Sequence, residues 1–372
     1  MFLEFLEMIQ RGEENGSNTI FRLKLPSGRE VTGLATENKY GGEWDLGPTW
    51  NYVVGPERPF LVDTGKSGMG MRILEMMAQA GIQGKGLEYV LLSHGHEDHD
   101  GGLAELVAQT GVSIKAHPIY ERLSRIYPES SPTEAKETFS ASCWTCMLPE
   151  SFTQTHCRKY HQERNHLKVD GLNGSLGTGI QIHHLPGHSP DAVAFQIEDE
   201  ALIIGDTILP QITPHPSRER TFEMVKSLLP DSYQGPEIYG LGAYIHSLKR
   251  LRETAVQYPQ LIVLPGHRLF NNGHWNTVDL KTRVDEIIEH HVQRCAAILA
   301  ILKDGPQTPD EIARRYFDPK LLKGPGMIMA TGEIVSHAEF MVHSQDIRWV
   351  QNQSLESLGS SHFESRIREE IN

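Results

Sequence analysis

The run Ser93-His94-Gly95-His96-Glu97-Asp98-His99-Asp100-Gly101-Gly102 constrains this chain more than any other part of it. It follows the apolar stretch Tyr89-Val90-Leu91-Leu92, which reads as a buried strand. Three histidines and an aspartate in six residues are hard to account for as packing, because buried polar side chains need partners. At the carboxyl end of a strand they project into a cleft, where open α/β sheets bind ligands. Imidazole nitrogen suits zinc, iron and manganese, and carboxylate oxygen completes such a ligand set.

Three later segments repeat the arrangement of a strand followed by a ligand-like residue. Ile182-His183-His184-Leu185-Pro186-Gly187-His188 ends in Pro-Gly-His, Leu202-Ile203-Ile204-Gly205-Asp206 in Gly-Asp, and Ile262-Val263-Leu264-Pro265-Gly266-His267 in Pro-Gly-His again. Glycine before each candidate ligand permits the tight turn that carries a side chain back over the strand end. One such histidine, His188 for instance, is as readily an ordinary core or surface residue. Four strand ends with the same pattern are not.

Around these segments the periodicity alternates between 2 and 3.6. Strands are expected over 19–25, 29–34, 50–54, 59–62, 88–92, 112–116, 180–184, 192–196, 201–204 and 261–264, and helices over 68–79, 102–109, 217–229 and 241–257. Residues 124–175 break the alternation with prolines, three cysteines and a polar stretch, and read as an insertion. The organisation is a hydrolase-like domain over 1–277 and a helical C-terminal domain over 278–372. The latter opens with a long helix over 278–302 and ends in a polar tail from 354 expected to be partly mobile.

A formal charge of −13 opposes general attraction to nucleic acid or anionic membranes. The N-terminal segment carries acids where a signal peptide needs a basic start, and no run approaches a membrane span, so a cytoplasmic protein is expected. Four cysteines in 372 residues do not make a disulfide framework. Cys143, Cys146, Cys157 and His161 have the spacing C-x2-C-x10-C-x3-H. That suits a structural zinc; a redox CxxC or reduced cysteines in the insertion are the alternatives. His215, shortly after Asp206, is a candidate substrate contact or a solvated loop residue.

The motif His94-x-His96-x-Asp98-His99, with His188, Asp206 and His267 in order, resembles the metallo-β-lactamase superfamily, as do Asn51-Tyr52-Val53-Val54 and Leu61-Val62-Asp63-Thr64-Gly65. The resemblance covers roughly residues 17 to 270 and implies a four-layer αβ/βα sandwich. It implies two divalent ions, zinc first with iron and manganese as alternatives: one on His94, His96 and His188, the other on Asp98, His99 and His267, with Asp206 bridging. Asp98 would be catalytic, and Asp63 would support a ligand or merely form a turn. With all seven positions filled, and aspartate at 206 where the true β-lactamases usually carry cysteine, the set resembles that of the glyoxalase-II-like hydrolases. Residues 278–350 are similar to a winged-helix-like domain of one branch. The implied function is cleavage of an ester or thioester of a small molecule by a hydroxide bridging the ions. A homodimer is compatible with it. A nuclease or phosphodiesterase on the same ions is the first alternative, and a non-enzymatic DNA-binding metal sensor the second.

Overall fold

The protein was analysed as a computed structural model, which describes residues 2–39, 46–55, 58–125, 158–172, 174, 176, 177, 179–323 and 326–369. Eight strands form the first sheet in sequence order: β1 (Leu6–Gln10), β2 (Ile20–Lys24), β3 (Glu30–Thr36), β4 (Thr49–Val54), β5 (Phe60–Val62), β6 (Tyr89–Leu91), β7 (Ser113–Ala116) and β8 (Val169–Gly171). The pairs from β1 to β5 are antiparallel and those from β5 to β8 parallel. The second sheet has the order β12-β11-β10-β9, built from β9 (Ile180–His184), β10 (Val193–Ile197), β11 (Ala201–Gly205) and β12 (Ile262–Pro265). Two short hairpins follow, β13 (Phe270–Asn271) with β14 (His274–Trp275), and β15 (Ile347–Trp349) with β16 (Leu355–Ser357).

The helices are α1 (Gly70–Gln79), α2 (Glu97–Asp100), α3 (Leu103–Thr110), α4 (Tyr120–Ser124), α5 (Arg158–Arg164), α6 (Arg220–Val225), α7 (Gly235–Ile238), α8 (Gly240–Gln257), α9 (Leu280–Leu302), α10 (Pro309–Tyr316), α11 (Gly326–His343) and α12 (His362–Glu369). No described helix is long and apolar enough to cross a membrane.

Strand alternation sorts the side chains into layers. Trp50, Tyr52 and Val54 of β4 meet Val193, Phe195 and Ile197 of β10 between the sheets, while Val53 and Ala194, one residue out of phase, face away. Ile73, Met76 and Met77 of α1 and Leu103 and Leu106 of α3 cover the outer face of the first sheet. Leu241, Ile245 and Leu248 of α8 cover Leu202 and Ile204 on the second. The result is the four-layer αβ/βα sandwich expected.

Among the described residues, the C-terminal helices share a core with the second sheet. Val284, Ile288 and Cys295 of α9, Ile334 and Phe340 of α11, and Phe363 and Ile367 of α12 belong to the same buried cluster as α8 and β11. The described part of the polar tail, to Glu369, packs on that cluster through Phe363 and Ile367, four apart on α12. The helix expected over 217–229 is shorter, running from Arg220 to Val225 before a 3₁₀ turn at Lys226–Leu228.

Candidate metal centre

Four strand ends deliver the candidate ligands to one edge of the sandwich: β6 leads to His94, β9 to His188, β11 to Asp206 and β12 to His267. Backbone bonds stitch the two sheets together there, from Val193 N–H to the Ser93 carbonyl (2.8 Å) and from Trp50 N–H to that of Gly266 (2.8 Å). Tyr52 Oη adds a bond to the Pro265 carbonyl (2.6 Å). The glycines before the ligands are needed sterically. Gly187 has φ +135°, and a Cβ on it would lie 2.3 Å from Tyr244 Cα; one on Gly266 would lie 2.3 Å from Asp206 Oδ1.

Two trios result. His94 Nε2 and His96 Nδ1 are 3.0 Å apart, and His96 Nδ1 and His188 Nε2 are 3.1 Å apart. Opposite them, His267 Nε2 lies 3.1 Å from Asp98 Oδ2, and His99 Nε2 lies 3.9 Å from Asp98 Oδ1. Asp206 stands between, its carboxylate 3.4 Å from His99 Nε2, 3.4 Å from His267 Nε2 and 3.8 Å from His188 Nε2.

Partners behind the rings turn their other nitrogens inward. His99 Nδ1–H donates to Asp63 Oδ2 (2.9 Å), His188 Nδ1–H to the His215 carbonyl (2.9 Å) and His267 Nδ1–H to the Pro48 carbonyl (3.1 Å). Ser93 Oγ donates to Asp63 (2.7 Å), which leaves its oxygen to accept from His94 Nδ1–H (3.0 Å). Each ring is thus fixed by a partner behind it. His99 Nε2, His267 Nε2 and Asp206 Oδ1 are buried without a hydrogen-bond partner among the described residues. Orphaned inward atoms of this kind, on a nitrogen and carboxylate donor set, fit divalent cations: His94, His96 and His188 could hold one, and Asp98, His99 and His267 another.

Charge divides the trios. Burial, reinforced by the neighbouring imidazoles, pushes His94 well down and His96 to about 3, and burial lowers His188. Burial also opposes protonation of His99 and His267, but the surrounding carboxylates outweigh it. They hold His99 well above the usual imidazole range and His267 at about 9. Burial would raise Asp98 and Asp206, yet the adjacent imidazoles keep both below the usual carboxylate range.

Residues 44–267 match the sequence model described as the metallo-beta-lactamase superfamily. The chain belongs to that superfamily. Among its relatives, the hydroxyacylglutathione hydrolase GloC of Haemophilus influenzae is 29% identical over 149 residues, 40% of this chain and 60% of that protein. The atrochrysone carboxyl ACP thioesterase of Aspergillus fumigatus is 28% identical over 173 residues, 45% of this chain and 31% of that one. Both alignments thus cover less than two thirds of the relative's length. A metallo-beta-lactamase family protein from Thermus thermophilus has the same fold, with a TM-score of 0.64 at 20% identity over 88% of this chain and 98% of its own.

The remaining predicted residues fall in different places. Asp63, at φ +63°, holds His99 and also accepts from Ser93 N–H (2.7 Å), so it does more than form a turn. His215 meets His188 through its carbonyl, while its ring lies against α11, 3.0 Å from where a Cβ on Gly332 would be. His161 is on α5, with Asn165 Nδ2 3.4 Å from its Nε2; Cys143, Cys146 and Cys157 lie outside the described residues. Sequence reasoning missed Asn38, whose Nδ2 donates to Asp98 Oδ2 (3.0 Å). Nothing in its local sequence sets it apart.

Proposed function

We propose that this superfamily member is a metal-dependent hydrolase that cleaves an ester or thioester. The observation that carries the reading is the two trios themselves, with inward-facing nitrogens and carboxylate oxygens converging on Asp206. In this reading His94, His96 and His188 hold one ion, Asp98, His99 and His267 a second, and Asp206 serves both. Divalent ions so placed supply Lewis acidity, making water a nucleophile near neutral pH and polarising a carbonyl. Zinc, iron and manganese all suit the donors.

The chain's own residues do the rest. Asp98 is 16% exposed and so reachable from the cleft, and its Oδ2 accepts from Asn38 Nδ2 and lies 3.1 Å from His267 Nε2. Held below the usual carboxylate range, it is ionised at neutral pH and acts first by orienting the attacking water and then by accepting its proton. Asp63 and the His215 carbonyl keep His99 and His188 turned inward.

Two features favour a small acyl substrate over the alternatives. The net charge of −13 repels polyanions, which argues against phosphodiester cleavage in nucleic acid. A DNA-binding role needs the second helix of a helix-turn-helix pair in the groove. Here that helix would be α11, and its residues Ile334, Val335, His337, Ala338, Phe340 and Met341 are buried. The named activities of the two relatives, a hydroxyacylglutathione hydrolase and a carrier-protein thioesterase, support a thioester.

The test is metal analysis with a panel of thioesters, lactones and phosphodiesters. About two ions per chain are expected. Thioester hydrolysis should vanish on chelation and return with added ions. Hydrolysis by ion-free protein would overturn the reading, and cleavage of phosphodiesters alone would replace it with the nuclease.

A further inference from the structure

Asp100 follows the ligand motif directly, belongs to neither trio, and is fully buried with its charge. Three donors surround it. Tyr120 Oη donates at 2.8 Å, Arg164 Nη1 at 2.6 Å, and the Tyr160 hydroxyl to the other carboxylate oxygen. Arg164 also lies over the Tyr160 ring, its guanidinium carbon 4.2 Å from the centroid. The same Nη1 reaches the carbonyl of Gly95 at 3.3 Å.

Gly95 is the residue between His94 and His96, and it is held on every side. Beside it lies the buried carboxylate of Asp191, whose Oδ2 would be 3.2 Å from a Cβ on Gly95 and which accepts from Ser189 Oγ, next to His188. The Tyr120 ring fills the space beside it: a Cβ on Gly95 would lie 3.0 Å from two ring carbons. The peptide linking two members of the first trio is therefore gripped by α4, by α5 and by the segment following the third member.

An ion pair whose only duty was to fasten α5 to the core would not need a donor on the Gly95 carbonyl. We propose that Arg164 is a positioning residue. With Asp100, Tyr120, Tyr160 and Asp191 it fixes the Gly95 peptide, and so the angle at which His94 Nε2 and His96 Nδ1 meet His188 Nε2. The proposal rests on the reading of that trio as a metal site. It gives the helix at the end of the cysteine-bearing insertion a role in the reaction.

Cobalt-substituted protein tests it, because the visible spectrum reports ligand geometry directly. His96→Ala and His267→Ala assign the bands and affinities of the two trios. Arg164→Met should weaken cobalt at the first trio by about 10–100-fold, the usual cost of losing a group that orients a ligand, and shift that trio's bands. The second trio should keep its affinity, and kcat should fall more than KM rises. Arg164→Lys, which restores the charge, should recover part of the spectrum. An Arg164→Met protein with both wild-type affinities and an unshifted spectrum overturns the clamp, even if its Tm has dropped. Should the methionine variant fail to fold, Tyr160→Phe deletes only one hydroxyl. It should shift the same bands by less, and no shift overturns the proposal. Wild-type protein that takes up no cobalt overturns the metal reading, and the clamp with it.

Discussion

The two trios use the same ligand type in opposite electrostatic settings. His94, His96 and His188 face one another at the mouth of the site, where the packed rings desolvate one another, and their lowered pKa values leave them neutral. His99 and His267 are fully buried among Asp63, Asp98 and Asp206, and those carboxylates hold protons on them. A cation entering the first trio meets bare lone pairs. One entering the second must first expel protons. Neighbouring carboxylates thus decide which half is ready for metal and which must be discharged.

The comparison breaks most completely at Asp206, which approaches both halves. Asp206→Ala should leave fewer than one tightly held ion per chain and lower turnover beyond the effect of any other single ligand, checked by elemental analysis beside kcat. Full occupancy by two ions would show that the halves are independent. Asp98→Asn comes next. The amide nearly preserves volume but removes the charge and the proton acceptor, so kcat should fall by at least ~10²-fold with the second ion weakened. If Asp98 merely capped the turn at α2, the variant would lose about 1 kcal/mol of stability and keep normal turnover. Asp63→Asn should weaken the second ion by about 10–100-fold and the first by less, because Asp63 orients His99 directly and His94 only through Ser93. Equal weakening of both ions would contradict that division.

The smallest effect is the pH dependence. His99 and His267, with raised pKa values, are protonated at pH 7 in metal-free protein, so second-site occupancy should fall as pH drops from 9 to 6. The first trio, already neutral across that window, should hold its ion almost unchanged. For the metal-free fold the sign reverses. The stability contributed by the raised imidazoles is fully present below pH 6.5 and drains away as pH climbs through about 9. Metal content and Tm measured at pH 6, 7.5 and 9 would separate the two trends, and parallel loss of both ions would refute the charge division.

Most ligands were legible because each combines an apolar strand, a glycine and a polar residue, a local signal. The supports behind them were not. Asp100 and Arg164, or Asn38 and Asp98, meet only because the fold joins segments about sixty residues apart, and no local pattern records that. The same holds for α11, which is buried almost all round between Ala330 and Met341 and so lacks the one-sided stripe that marks a surface helix. In α10, by contrast, Thr308 and Glu311 form a capping box, and Ile312 and Ala313 face inward. Strand β1 lacks such a signal, because none of Leu6–Gln10 is fully buried and no clean alternation marks one face.

The shared core at the C-terminus has a consequence for synthesis. Leu202 and Ile204, on the strand that ends at Asp206, are covered by a cluster that reaches Ile367. At ~5–20 residues per second, the ribosome needs on the order of 10–30 s to pass from one to the other. Early in that interval α8 can cover the outer face of β11, but the side of α9 that packs on α11 and α12 stays bare to its end. Until the last helix emerges, that apolar side of α9 is the surface most open to premature association.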